Sequence, residues 1–260
     1  MLLENTLWYG VVDKVQVAVD RLKQFEPEEG YWIAFSGGKD SMVILDLAKK
    51  AGVKYEAHYR IGGFDPPELV RFINQHYHDV IKDYPKVSQW LVMSKRGPAN
   101  RRMRWCCDHK ESGGKGRLVV TGVRWEESAR RGKRKMVEQC YRDNSKRLLN
   151  LIIDWTEQEV WQYIKQNNLP YCSLYDEGFT RIGCVMCPLT SVANRIKEAE
   201  RWPAYARNYL KMCEMAFDRK KPLGHKMPEE WKSGVDMYNW WVYDDGRGEK
   251  IDPNQTVIYE

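Results

Sequence analysis

Tyr31-Trp32-Ile33-Ala34-Phe35-Ser36-Gly37-Gly38-Lys39-Asp40-Ser41-Met42-Val43-Ile44-Leu45-Asp46-Leu47-Ala48 decides how this chain folds, because an apolar run meets a glycine pair and then an amphipathic run. The order reads as strand, tight turn, helix. Two adjacent glycines let backbone approach an anion closely, and the helix that follows offers unpaired N–H groups and the positive end of its dipole. Ser36, Gly37, Gly38, Lys39, Asp40 and Ser41 are therefore the candidate phosphate-binding residues. Lys39 and Asp40, read as side chains on an exposed loop, are the candidate catalytic pair. The GxxxxGK[ST] loop of the common nucleoside triphosphatases is absent from the sequence.

On the amino side, apolar residues at Val11, Val12, Val15, Val19, Leu22 and Phe25 have helical spacing and predict a helix over 11–25. On the carboxyl side, Val53–Tyr59 alternates like a strand, Pro67–Tyr77 suits a helix, and Trp90-Leu91-Val92-Met93 suits a third strand. Leu118–Gly122 and Leu148–Ile153 are buried-strand candidates. Thr156 and Glu159 have capping-box spacing ahead of a helix through Ile164. Alternation of this kind predicts an α/β fold, a mostly parallel sheet with helices on both faces, and a ligand at the carboxyl ends of its strands. Residues 171–188 look irregular, 192–221 look helical with a break at Pro203, and the tail from Pro222 shows little pattern. The expected organisation is an α/β domain over 1–190 with a C-terminal helical extension over 191–260 packed on it.

No apolar run approaches the ~20 residues a membrane helix needs. The first residues have neither a basic start nor a long apolar stretch, so a cytoplasmic protein with no membrane partner is expected. In that compartment the seven cysteines are metal ligands, reactive thiols or buried hydrophobes rather than disulfides. Net charge is +6, but 95–147 holds 17 Lys or Arg against 6 Asp or Glu, so the remainder is net acidic. The runs Arg96, Arg101, Arg102, Arg104 and Arg130, Arg131, Lys133, Arg134, Lys135 would attract a nucleic acid backbone, or form a solvated face or a nucleotide-binding loop. Most of the eleven tryptophans are expected in the core.

Cys106-Cys107 and Cys184-Val185-Met186-Cys187 are the two pairs that matter. A CxxC turn presents two thiolates to one metal face, and a second pair completes a four-thiolate shell. Zinc satisfies that count. Directly adjacent cysteines are unusual for structural zinc, which leans the reading toward a [4Fe–4S] cluster, with Cys140 as a substitute for one of the pair. Cys172 and Cys213 read as buried hydrophobes.

The loop resembles the SGGxDS loop of the PP-loop, or adenine nucleotide alpha-hydrolase, superfamily. With it, Gly122-Val123-Arg124-Trp125-Glu126-Glu127-Ser128 and Arg131, then Asp154-Trp155-Thr156 with Val160-Trp161, then Leu174-Tyr175, Gly178, Arg181, Gly183-Cys184 and Cys187-Pro188 occur in the order seen in the phosphoadenosine phosphosulfate (PAPS) reductase family. The resemblance covers about 30–190. It implies a PP-loop α/β fold, an adenine nucleotide site and, in cysteine-rich members, a [4Fe–4S] cluster held by a CC…CxxC set. Arg124 and Arg131 suit bidentate phosphate contact, and Glu127 either orients Arg124 or binds a ribose hydroxyl; a solvated salt-bridge network is the other reading of these three.

Family reductases carry a nucleophilic cysteine in a C-terminal motif, whereas no cysteine follows Cys213 here. This departure favours a likeness to the ATP pyrophosphatase subunits of DNA phosphorothioation systems, which act with a cysteine desulfurase. The chemistry so implied is attack of an acceptor on the α-phosphorus of ATP, with Mg2+ bridging the phosphates and pyrophosphate leaving, followed by sulfur insertion. Asp40 is then either a magnesium contact or a first-turn acid favoured by the helix dipole. The alternatives are an adenylyl sulfate or PAPS reductase using a thiol from elsewhere, such as Cys213, and a non-catalytic nucleotide or nucleic acid binder with a structural cluster. A tRNA thiolase shares the loop but matches the later motifs less well.

Overall fold

A computed structural model describes residues 2–6, 10–220, 228 and 231–243. In chain order these form β1 (Leu3–Thr6), β2 (Gly10–Asp13), α1 (Lys14–Gln24), β3 (Tyr31–Phe35), α2 (Lys39–Ala51), β4 (Tyr55–Arg60), α3 (Pro67–His76), β5 (Ile81–Asp83) and α4 (Gln89–Arg96). They continue with α5 (Trp105–Glu111), β6 (Leu118–Thr121), β7 (Val137–Gln139), β8 (Arg147–Asn150), α6 (Glu157–Gln166), α7 (Val192–Arg201), α8 (Pro203–Lys220) and α9 (Gly234–Tyr243). Most of the tail beyond Pro222 lies outside the described residues, but α9 adds regular structure where the pattern suggested little.

By compactness the chain divides into two interleaved units. One comprises 1–60, 67–83 and 112–182, and the other 61–66, 84–111 and 183–260. The division expected at 190/191 therefore runs through the interior of the second unit.

The first unit holds a six-stranded sheet of order β5-β4-β3-β6-β8-β7, besides the β1–β2 hairpin. Every pairing in the larger sheet is parallel except β7 with β8, as an α/β fold with one antiparallel edge requires. From β3 the chain moves outward through β4 and β5, then returns to place β6 on the other side of β3. That reversal opens a crevice at the carboxyl ends of β3 and β6. Tyr31 and Ile33 of the central strand are fully buried, and α2 buries Val43, Ile44, Leu47 and Ala48 completely as it packs on α1, α6 and β3. Burying each large aliphatic side chain contributes roughly 1.5–3 kcal/mol, which anchors the helix directly behind the glycine turn.

Three local readings shift. Val11 and Val12 belong to β2, because the Asp13 carboxylate accepts from Val15 N at 3.0 Å and caps α1 after them. Trp90–Met93 lies in α4, where Met93 is buried and Gly97 closes the helix; the third strand on that side is the three-residue β5. A short apolar run fits a buried strand and one face of a helix equally well, and here packing chose the helix. Leu151–Ile153 is buried, but beyond Asn150 it turns instead of extending the strand. The capping box of α6 forms, with Thr156 and Glu159 bonding each other's backbone N–H.

In the second unit α8 packs against α4, α7 and α9. Its core is aromatic: Phe64 meets Trp90 edge-on with centroids 4.7 Å apart, and Tyr209 meets Trp241 at 4.7 Å. The indole N–H groups of Trp90 and Trp241 donate to Gly63 O and Ala99 O, which for the buried Trp241 relieves the cost of removing its N–H from water. Among the described residues no helix is long and apolar enough to cross a membrane.

Candidate functional site

In the sheet unit the loop Ser36–Ser41 leaves the carboxyl end of β3 and enters α2 at Gly38. Its shape is set internally. The Ser41 hydroxyl donates to Gly38 O at 2.8 Å and accepts from Ser36 N at 3.2 Å. Gly37 has φ +73, and a Cβ there would come within 2.7 Å of Ile73 and 2.8 Å of Leu69, so only glycine lets α3 close on the loop. Gly122, after β6, backs onto the other side, where a Cβ would lie 2.9 Å from Asp40 Cβ.

Lys39 is only 5% exposed, contrary to the expectation of an exposed loop side chain. Its Nζ donates to Thr180 O at 3.1 Å and stands 3.4 Å from Glu157 and 3.8 Å from Asp40. Its backbone N–H donates to the Tyr175 hydroxyl at 2.9 Å. Asp40 accepts from Arg124 Nε at 2.7 Å.

Arg124 is buried, and its guanidinium also donates to Glu126 at 2.8 Å. Burial opposes its charge, but Asp40, Glu126 and Glu127 outweigh that and raise its pKa further. As it stands, the guanidinium is spent on holding Asp40. Glu127 accepts from the Arg124 backbone N–H at 2.9 Å and pairs with Arg131, so Arg124, Glu127 and Arg131 form one connected network beside Asp40. Arg124→Ala is expected to cost about 2–4 kcal/mol, because it leaves Asp40 and Glu126 without their buried partner. Arg124→Lys will recover little, since one ammonium cannot serve both carboxylates as the fork does. Chemical denaturation of the three proteins checks this.

In the second unit Cys106, Cys107, Cys184 and Cys187 line one cavity with Lys110. Phe64, Trp105, Tyr209 and Trp241 supply its apolar wall. Adjacency places Cys106 and Cys107 on the first turn of α5, where a hydrogen bond from Cys106 brings the Cys107 thiol down to about 7 while the same bond, with burial, pushes Cys106 up. Three hydrogen bonds hold the CxxC turn: Val185 N donates to Phe64 O, the Tyr209 hydroxyl donates to Val185 O, and Met186, at φ +54, donates its N–H to the half-buried carboxylate of Glu198. Burial raises the Cys184 thiol to about 11, although Lys110 Nζ lies 3.2 Å from its sulfur and favours the thiolate. Lys110 is itself anchored by the buried Asp65 at 2.6 Å.

Four thiols in an apolar wall, with no carboxylate or imidazole among the cavity-lining residues, are a donor set for soft, thiophilic iron or zinc. Among the described residues no three His, Cys, Asp or Glu side chains converge as ligands for a single ion. Cys140 belongs to the sheet unit, where its N–H donates to Lys146 O, and it is not among the residues lining this cavity. Cys172 and Cys213 are buried, and burial pushes the Cys213 thiol up to about 12.

Of the basic runs, Arg131 and Arg134 pair with Glu127 and Glu138, Arg104 pairs with Glu111, and Arg101 donates to Leu189 O and Thr190 O. Arg130, Lys133 and Lys135 are exposed. Residue patterns did not single out Tyr175, Glu126 or Glu157 as contacts of the loop, nor Lys110 and Asp65 beside Cys184. Tyr175 lay in a noted motif without a role, and Lys110 follows Cys106 by four residues, one helical turn; nothing around Asp65 announces it.

Residues 30–190 match the family profile described as the phosphoadenosine phosphosulfate reductase domain. Two uncharacterised proteins of Methanocaldococcus jannaschii are 30% and 31% identical over 68% and 75% of this chain. The chain spans only 41% and 53% of their lengths. An adenosine 5′-phosphosulfate reductase of Bacillus anthracis is 28% identical over 64% of this chain and 78% of its own. Among solved structures, a phosphoadenylyl-sulfate reductase from Candida auris in a phosphate complex superposes with a TM-score of 0.50 and 19% identity, covering 66% of this chain and 88% of that one, which bears out the α/β fold.

Proposed function

The chain belongs to the phosphoadenosine phosphosulfate reductase domain family, and from that premise we propose that it is a PP-loop enzyme of sulfur metabolism that binds ATP and adenylates an acceptor, releasing pyrophosphate ahead of sulfur insertion. One observation carries the reading: a glycine-built loop at the switch point of the sheet, whose backbone opens helix α2 and whose Lys39 and Asp40 are held in place by Thr180, Glu157 and Arg124.

The loop amides and Lys39 would take the β- and γ-phosphates, and Asp40 would hold a Mg2+ ion, which when bound would supply charge to offset the phosphates. An acceptor oxygen attacks the α-phosphorus, the bond to the bridging oxygen breaks, and both electrons of that bond leave with pyrophosphate, whose growing charge Lys39 offsets. A base or hydroxyl acceptor releases its proton to solvent, whereas a phosphodiester oxygen attacks as the anion and has none to lose; a sulfur nucleophile, supplied by a desulfurase, later displaces AMP. The four cysteines would hold a [4Fe–4S] cluster, which when bound supplies a sulfur-handling or electrostatic centre; Lys110 and Asp65 set the charge beside Cys184. Exposed Arg130, Lys133 and Lys135 favour an acceptor with a phosphate backbone, DNA or RNA.

The Bacillus relative favours a second reading, reduction of adenylyl sulfate. Cys213, buried with its thiol pushed up to about 12, is not a ready nucleophile for that reaction, so the thiol would have to come from elsewhere. The two are separated by incubating the anaerobically purified protein with α-labelled ATP and a DNA duplex or tRNA, and in parallel with adenylyl sulfate and dithiothreitol. Pyrophosphate and a labelled acceptor are expected from the first mixture. Sulfite from the second, with no pyrophosphate from the first, would overturn the proposal.

A further inference from the structure

We propose that Tyr175 is a phosphate ligand of the loop, its hydroxyl donating to an oxygen of the bound nucleotide. The inference rests on the ATP-binding reading of this loop and adds a residue to it.

The phenol oxygen accepts the Lys39 backbone N–H at 2.9 Å, at the first residue of α2, and stands 3.5 Å from where a Cβ on Gly38 would be. It therefore sits over the glycine turn, among the amides that an anion would meet. A phenol that accepts through its oxygen still has one proton to give. Among the described residues none receives that proton in a hydrogen bond from Tyr175. Burial, foremost, holds the hydroxyl protonated far above its ordinary range, so the donor is present at any pH the protein would meet.

The ring is fixed in advance. Trp161 packs edge-on against it with centroids 5.0 Å apart and edge-on against Tyr171 at 5.3 Å, and Lys39 Nζ lies 5.7 Å over the Tyr175 ring. A donor whose ring is locked loses little freedom when it bonds a phosphate oxygen, and a hydrogen bond to a charged acceptor is among the stronger ones. Phenol and lysine would then act on the phosphates from one side, the phenol by direction and the ammonium by charge.

The test is calorimetric titration of the full chain with ATP and with adenosine, in wild type, Tyr175→Phe and Lys39→Ala. Tyr175→Phe keeps the ring contacts with Trp161 but removes the acceptor of the Lys39 N–H, so a folded protein with a small fall in melting temperature is expected. Its affinity for ATP is expected to fall about tenfold with adenosine unchanged, since the missing bond is to a phosphate. A Tyr175→Phe protein that binds ATP as wild type does, or more tightly, while Lys39→Ala binds it weakly, would sink the role of Tyr175 and leave the loop's function standing. Loss of equal size for adenosine marks Tyr175 as structural and sinks it too. No ATP binding by wild type, or none lost in Lys39→Ala, overturns the ATP reading and this inference with it.

Discussion

Lys39→Ala will cut pyrophosphate release from ATP by about 100-fold or more, the usual consequence of removing one positioned donor from the charge that grows in a transition state. The size of the effect follows from burial. The Lys39 ammonium is screened from solvent, and its neighbours Thr180 O, Glu157 and Asp40 fix where it points, so neither water nor another side chain takes its place. The fold should survive, because Asp40 keeps Arg124 at 2.7 Å and the loop's shape is set by Ser41 and Gly37. A modest fall in melting temperature is expected from the two carboxylates left without the ammonium. Circular dichroism establishes that the variant is folded, and a coupled pyrophosphate assay measures the rate. Undiminished release by a folded variant removes the loop from the chemistry.

Cys184→Ser will bleach the protein. Purified without oxygen, the wild type is expected to be brown and to contain iron and acid-labile sulfide in equal amounts; the serine variant should lose most of both, because a hard hydroxyl is a poor ligand for iron where a thiolate is a good one. Cys184 is the sharpest choice among the four. Its neighbour Lys110 is anchored by Asp65 and stays in place when the sulfur is removed, so the change is confined to the donor atom. Cys140→Ser should keep full iron and sulfide, since that residue sits in the β7–β8 turn of the sheet unit. A colourless wild type holding one zinc per chain rejects the cluster.

Much of the fold was legible because its signals are local. A five-residue apolar run ahead of a glycine pair leaves few choices other than a buried strand and a turn, and the Thr156–Glu159 box marks a helix start through atoms three residues apart. The misread pieces are those where local pattern is degenerate. Trp90–Met93 could be strand or helix, and Val11–Val12 could lead a helix or end a hairpin; in each case the deciding atoms came from another segment, the aromatic core around Tyr209 for one and the pairing with β1 for the other. The basic block read as a single stretch, yet it is shared between two units, and several of its arginines answer carboxylates of their own segment.

Read along the chain alone, the residues establish that a glycine turn joins a buried strand to a helix and that four cysteines come as two close pairs, since φ freedom, apolar runs and thiol spacing are properties of neighbouring residues. Their surroundings came from the folded chain: Arg124 holds Asp40 across 84 residues, Tyr175 reaches Lys39 across 136, and Lys110 and Asp65 meet at Cys184. Those pairings depend on β6 being laid beside β3 and on aromatic rings stacking behind the thiols, outcomes of packing among distant segments that no window along the chain contains.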